Sequence, residues 1–245
     1  MSEQFPVLLA VVALAGLIQG LAGFGSALIA VPLLALVLPL STLVPLMVVL
    51  GVILSVLNLL HLHHALSGAR LGRLLIGYLI GTPLGLLLLT RAPEPLVLGL
   101  LGLGLSAFAL LSLSGRPPRG RWMREQRLAI GTLSGALGAA YSTNGPPVIL
   151  HVAAHPEWGG DRQKATLTLF FLASGLLTAA AHWAGGLLTG RVLMLVLWAL
   201  PALLGGALAG AWLYRRLGEH DYRRVVFVLI LLTGLMLLWR AATGG

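Results

Sequence analysis

The sequence predicts an all-α fold: a polytopic membrane helix bundle of two inverted-topology repeats, each with a broken, re-entrant helix pair plus three spans. Three observations carry this. Hydrophobic residues make up 58% of the 245 and charged residues 9%, whereas a soluble domain carries roughly a quarter of its residues charged. The apolar runs are helix-length and lack the ~10-residue apolar/polar alternation of an outer-membrane barrel. The chain also repeats itself: Gly16, Gly20, Gly23 and Pro32 fall on Gly131, Gly135, Gly138 and Pro147 in one ungapped register.

The first apolar segment, 5–40, exceeds the roughly 20 residues one spanning helix needs, and GLAGFGSALIAVP interrupts it. Spans follow at 43–60, 74–89 and 96–113. The second half opens the same way, with 128–154 broken at YSTNGPP, then 165–184, 192–213 and 225–238. Ser55 matches Ser174, Gly81 and Gly85 match Gly206 and Gly210, and Arg91 matches Arg216. This divides the chain into a membrane repeat at 1–115, a proline-broken, arginine-rich linker at 116–127 and a second repeat at 128–245. Each arm of a broken segment has roughly 10 to 17 residues, too few to cross alone, so the segments are read as re-entrant.

Charge gives the orientation. If both broken segments return to their own side, Arg70, Arg73, the linker arginines, Arg162, Lys164, Arg215, Arg216, Arg223 and Arg224 share one face. Arg91, Arg191 and Arg240 stay on the other. Such a bias marks the cytoplasmic side and puts both termini outside. Straight spans would leave no bias. The net charge of +9 therefore reads as loop charge that orients the chain, and nucleic acid is set aside. No cysteine is present, which removes disulfides, thiolate metal sites and cysteine catalysis. MSEQFPVLLA has no basic n-region, so no cleaved signal peptide is expected.

The breaks are the candidate site. Ser142, Thr143 and Asn144 are N-cap residue types, Gly145 permits an unusual backbone angle and Pro147 suits a first helical turn. A helix starting there presents unpaired N–H groups and the positive end of its dipole, which attract an anion. Tyr141 adjoins this break. Gly23, Phe24, Gly25 and Ser26 form the matching break in the first half, which inversion brings in from the opposite leaflet. All seven acids lie in loops or at segment ends, and without an intramembrane carboxylate the chain favours an anion over a cation.

Gln19, Asn58 and His151 are candidates for pore lining or coupling, with interhelical hydrogen bonds as the alternative. His155 shares a helix face with His151. The HLHH run of His61, His63 and His64 could hold a metal in a membrane metalloenzyme. It lacks a second histidine cluster with partnering acids, so no metal site and no cofactor are assigned. Glycines serving only close helix packing, in a non-transporting assembly partner, would leave STNGPP unexplained.

GLIQGLAGFGSALIAVP and GTLSGALGAAYSTNGPP, each opening one half, with RQKATLTLFF at the next span, resemble the sulfite exporter TauE/SafE family, also called 4-toluene sulfonate uptake permeases. The resemblance covers nearly the whole chain. It implies a carrier of sulfite, sulfonates or related small organic anions in a bacterial inner membrane. It also carries over Gly16, Gly20, Gly23, Pro32, Gly131, Gly135, Gly138, Gly145 and Pro147 as the paired motif. The expected partners are a small anionic substrate and the lipid bilayer, with a small carboxylate as the alternative substrate. Homo-oligomer formation stays open.

Overall fold

The computed structural model describes residues 4–62, 71–115, 124–155, 157–214, 216 and 219–243. Among these residues the secondary structure is helical, with no strand. The first half holds α1 Gln4–Ala22, α2 Ser26–Leu34, α3 Leu40–Leu62, α4 Gly72–Arg91 and α5 Glu94–Leu113. The second holds α6 Arg127–Tyr141, α7 Gly145–Ala153, α8 Gly160–Ala184, α9 Gly190–Tyr214 and α10 Glu219–Thr243. Seven of these, namely α1, α3, α4, α5, α8, α9 and α10, are long and apolar enough to cross a membrane. The protein is a multi-pass membrane protein. Its outer surface agrees: Leu197, Leu208 and Met194 stand exposed along α9, and Trp183, Trp212 and Trp239 are exposed near helix ends, where amphipathic rings meet the headgroup layer.

The broken segments are hairpins with unequal arms. α2 and α7 have nine residues each, about 13 Å of helix at 1.5 Å per residue. The outgoing arm α6 has 15. α1 has 19 and is itself long enough to cross, longer than the sequence pattern predicts. Its glycines at 16 and 20 are ordinary helical residues that face a neighbour, so the first real break falls at Gly23–Gly25, both left-handed at φ 77° and 103°.

Glycine explains which helices pair. A Cβ on Gly16 would strike the Leu203 carbonyl oxygen, and one on Gly20 that of Ala207. In the other half Gly131 lies against the Leu74 carbonyl and Gly135 against that of Tyr78. With no side chain between them the backbones approach closely, and packing replaces the hydrophobic drive that lipid does not supply. Residue numbers rise together in both pairs, so α1 runs parallel to α9, and α6 parallel to α4. α5 and α10 pack with opposite sense: Gly99 meets Ala241, Gly102 meets Leu237 and Leu238, and Ser106 meets Gly234.

Three contacts show how the arms lie. Arg124, just before α6, donates from Nε to His155 Nδ1 at 3.1 Å, just after α7, so the start of α6 lies beside the end of α7. In the first half, Phe24 packs on Phe227 and Arg240 donates to the Ala35 carbonyl at 2.8 Å. α2 therefore runs alongside α10 in the same direction.

Candidate functional site

The two hairpin turns meet. Between them lies a cavity of about 80 Å³, against the 10–15 Å³ that one water centre needs, so several waters or one small oxyanion can occupy it. It sits halfway along two long helices. Gly51 is the middle residue of α3, and Gly175 lies near the middle of α8. Phe24, Gly25, Ser26 and Ala27 line it from the first hairpin, and Ser142, Thr143, Asn144 and Gly145 from the second.

At the first turn, left-handed Gly25 caps α2 and offers no side-chain acceptor. Gln19 fills that place from one turn back. Its Oε1 accepts the Ser26 N–H at 3.1 Å, and its Nε2 donates to the Gly23 carbonyl at 3.4 Å. At the second turn Ser142 adopts a left-handed conformation at φ 57° and closes α6. Asn144 occupies the N-cap position of α7 without a side-chain cap bond. Its Nδ2 donates to Ser174 Oγ at 2.6 Å instead, and Ser174 donates to the Phe171 carbonyl at 3.3 Å.

The first turn of α7 is poorer in donors than its sequence pattern implies. Pro146 and Pro147 have no N–H, so the backbone donors at this tip come from Asn144 and Gly145, with hydroxyls beside them. Tyr78 reaches in from α4, and its Oη lies 2.6 Å from Thr178 Oγ1. No lining residue carries a formal charge. Two helix starts, an amide and several hydroxyls make a neutral, donor-rich chamber.

A family model described as sulfite exporter TauE/SafE matches residues 8–237. The chain belongs to the TauE/SafE family. Searches of curated proteins and of solved structures gave no match.

In this TauE/SafE protein the sequence-predicted residues divide. Gln19, Phe24, Gly25, Ser26, Ser142, Thr143, Asn144 and Gly145 share the chamber. Gly23 belongs to the first turn and Tyr141 is buried in the core cluster next to Ser142; neither lines the chamber. Asn58 lies a turn beyond Ser55 on α3, past the chamber. His151 is buried on α7 but lines a second cavity with His155 and Trp158, because the six residues from Gly145 carry it about 9 Å along the helix. His61 stands in the last turn of α3, and His63 and His64 lie outside the described residues.

Sequence reasoning missed Tyr78, Ser55, Thr178 and Phe171 as lining residues. One signal was present. Ser55 and Ser174 mark equivalent places in the two halves, and both end at the chamber, Ser55 as lining and Ser174 as the partner of Asn144.

Proposed function

We propose that this TauE/SafE protein is a secondary transporter of a small anion, sulfite or an organosulfonate, held between the two hairpin turns. One observation carries the reading: a chamber midway along α3 and α8, walled by both breaks and free of formal charge among its lining residues. A sulfite or sulfonate spreads its charge over three oxygens, which suits scattered N–H and O–H donors better than one fixed cation. Each helix start contributes ~0.3 to 2 kcal/mol, so binding is modest and release is easy.

The repeats 1–115 and 128–245, joined by the linker 116–127, are inverted in this reading. Support comes from antiparallel α5 and α10, since equivalent spans of inverted repeats run in opposite directions. The contact between Arg124 and His155 supports a second hairpin that returns to its own side. With the basic loops facing the cytoplasm of a bacterial inner membrane, both termini lie outside. Inverted repeats with broken helices at a midplane site are how many carriers alternate access.

The test is flux. Purified protein in liposomes should move sulfite or a sulfonate in preference to a carboxylate of similar size. Equal movement of sodium or protons without any anion would overturn the reading. A carboxylate preference would keep the carrier and change its substrate.

A further inference from the structure

We propose that a second, basic cavity at the foot of the α6–α7 hairpin binds an oxyanion and serves as an antechamber to the central chamber. It is the larger of the two, at about 320 Å³. Arg127 and Arg162 line it, and the one lining carboxylate, Glu157, is engaged by Arg124. The lining therefore keeps a positive balance. Arg162 is pre-set for a ligand: its guanidinium lies 5.0 Å from the centre of the Trp158 ring, and Trp158 stacks on His155 with ring centroids 4.3 Å apart and planes within 12°.

The lining states what kind of ligand is wanted. His155 lines the cavity and is 6% exposed. Its Nδ1 lies 3.1 Å from Arg124 Nε, which can only donate, and 3.2 Å from Glu157 Oε1, which can only accept, and its buried Nε2 has no partner among the described residues. The donors are Arg127 and Arg162, and two guanidiniums on one cavity call for an acceptor with several oxygens. Thr166 lines it as well, with its hydroxyl donating to the Arg162 carbonyl at 2.7 Å, and Leu71 and Leu74 complete the wall.

The position makes it an antechamber. Leu74 and Tyr78 are one turn apart on α4, and Thr166 and Phe170 one turn apart on α8. Leu74 and Thr166 line the basic cavity, whereas Tyr78 lines the central one. Tyr78 and Phe170, both fully buried, meet edge-on with ring centroids 5.7 Å apart. Tyr78 and Phe170 belong to one buried apolar cluster with Leu74, Val148 and Val152, which connects the two linings. A charged outer site concentrates the anion, and the neutral inner chamber then has only to accept it.

The antechamber role rests on the transport reading, but the binding site does not, and one experiment separates them. Full-length protein in neutral-lipid nanodiscs is titrated with sodium sulfite under anaerobic conditions, and flux is measured in liposomes. Two binding events per chain are expected, one of them strongly salt-sensitive. Arg127→Gln with Arg162→Gln should abolish the salt-sensitive event. It should also raise the KM of flux about tenfold, the low end of electrostatic focusing, with the maximal rate nearly unchanged. Arg127→Lys with Arg162→Lys should retain both events. A single event in the wild type overturns the proposal even where the variants do not fold, and so does a glutamine pair that binds and transports like the wild type. Two events without sulfite flux would sink the transport reading and leave the second site standing.

Discussion

Asn144 spends its side-chain amide on Ser174, 2.6 Å away on α8, and not on the helix it precedes. This ties the second hairpin turn to the middle of a long helix and aligns it with the chamber. Asn144→Asp keeps the shape, and the Ser174 hydroxyl can turn to donate to the new carboxylate, so folding should persist. The added charge should weaken sulfite binding by tenfold or more, on the order of 1.4 kcal/mol. Asn144→Ala should cost about 1 kcal/mol of stability for the lost hydrogen bond with a smaller loss of affinity. Wild-type affinity in the Asp variant would remove the anion from this tip.

Gly135 and Gly104 make a matched pair for stability. A methyl on Gly135 would run into the Tyr78 carbonyl, while the space beside Gly104 is open. Gly135→Ala should destabilise by about 1–3 kcal/mol as overpacking does. Gly104→Ala should be neutral or stabilising by ~0.4–1 kcal/mol. Thermal unfolding in detergent checks both, and equal melting temperatures for the two variants would contradict glycine-directed pairing of α4 and α6.

The breaks were legible because small polar residues and prolines beside glycine, as in YSTNGPP, do not serve helix packing inside an apolar run. Their register was less so. Matching glycines pairs Gly16 with Gly131, but the turns align Gly23 with Ser142 and Gly25 with Asn144, which places Gly16 on Gly135, one helical turn along. Contacts agree: Gly16 faces Leu203 as Gly135 faces Tyr78, and Gly206 faces Ala13 as Gly81 faces Thr132. A four-residue slip leaves a residue on nearly the same helix face, so a glycine stripe cannot tell the two registers apart. Tyr78 was hidden for another reason, since one tyrosine in an apolar span gives no periodic signal. The basic cavity was illegible because Arg127, Arg162 and His155 come from separate segments, and arginines near span ends read as orientation charges.

Ser142 is the one non-glycine among the described residues with positive φ. The left-handed conformation costs a side-chain-bearing residue roughly 1–2 kcal/mol. Ser142→Gly should therefore raise stability by about 1 kcal/mol. A lower melting temperature would mean that the hydroxyl contributes more than the strain costs.

Hairpin return can be read chemically in this cysteine-free chain. Single cysteines at Glu125 and Gly159 should label from the same face, the cytoplasmic one, and those at Pro93 and Thr243 from outside. Straight spans through both breaks would put Glu125 and Gly159 on opposite faces, and that labelling pattern would sink the inverted-repeat reading.

The exposed carboxyl of Glu157 is held below the usual carboxylate range, chiefly by its own backbone N–H, and desolvation, which opposes this, is outweighed with the help of His155 and Arg124. A lowered folded-state pKa adds stability above the ordinary carboxylate range and loses it as pH falls through the lowered value. The gap in melting temperature between wild type and Glu157→Gln should be present at neutral pH and close in strong acid. A gap unchanged by acid would assign the contact no electrostatic role.

The parallel pairing of α1 with α9 also governs how the protein is made. Gly16 and Gly20 pack against Leu203 and Ala207, so the glycine face of α1 stays uncovered until α9, far along the chain, has been inserted. Contacts this distant in sequence are slow to form. Neither half is a finished unit when synthesised alone, because each holds a helix whose glycine face belongs to the other. A chain truncated after α8 would expose that face to lipid or to chaperones, and the cell would meet it as an unassembled fragment.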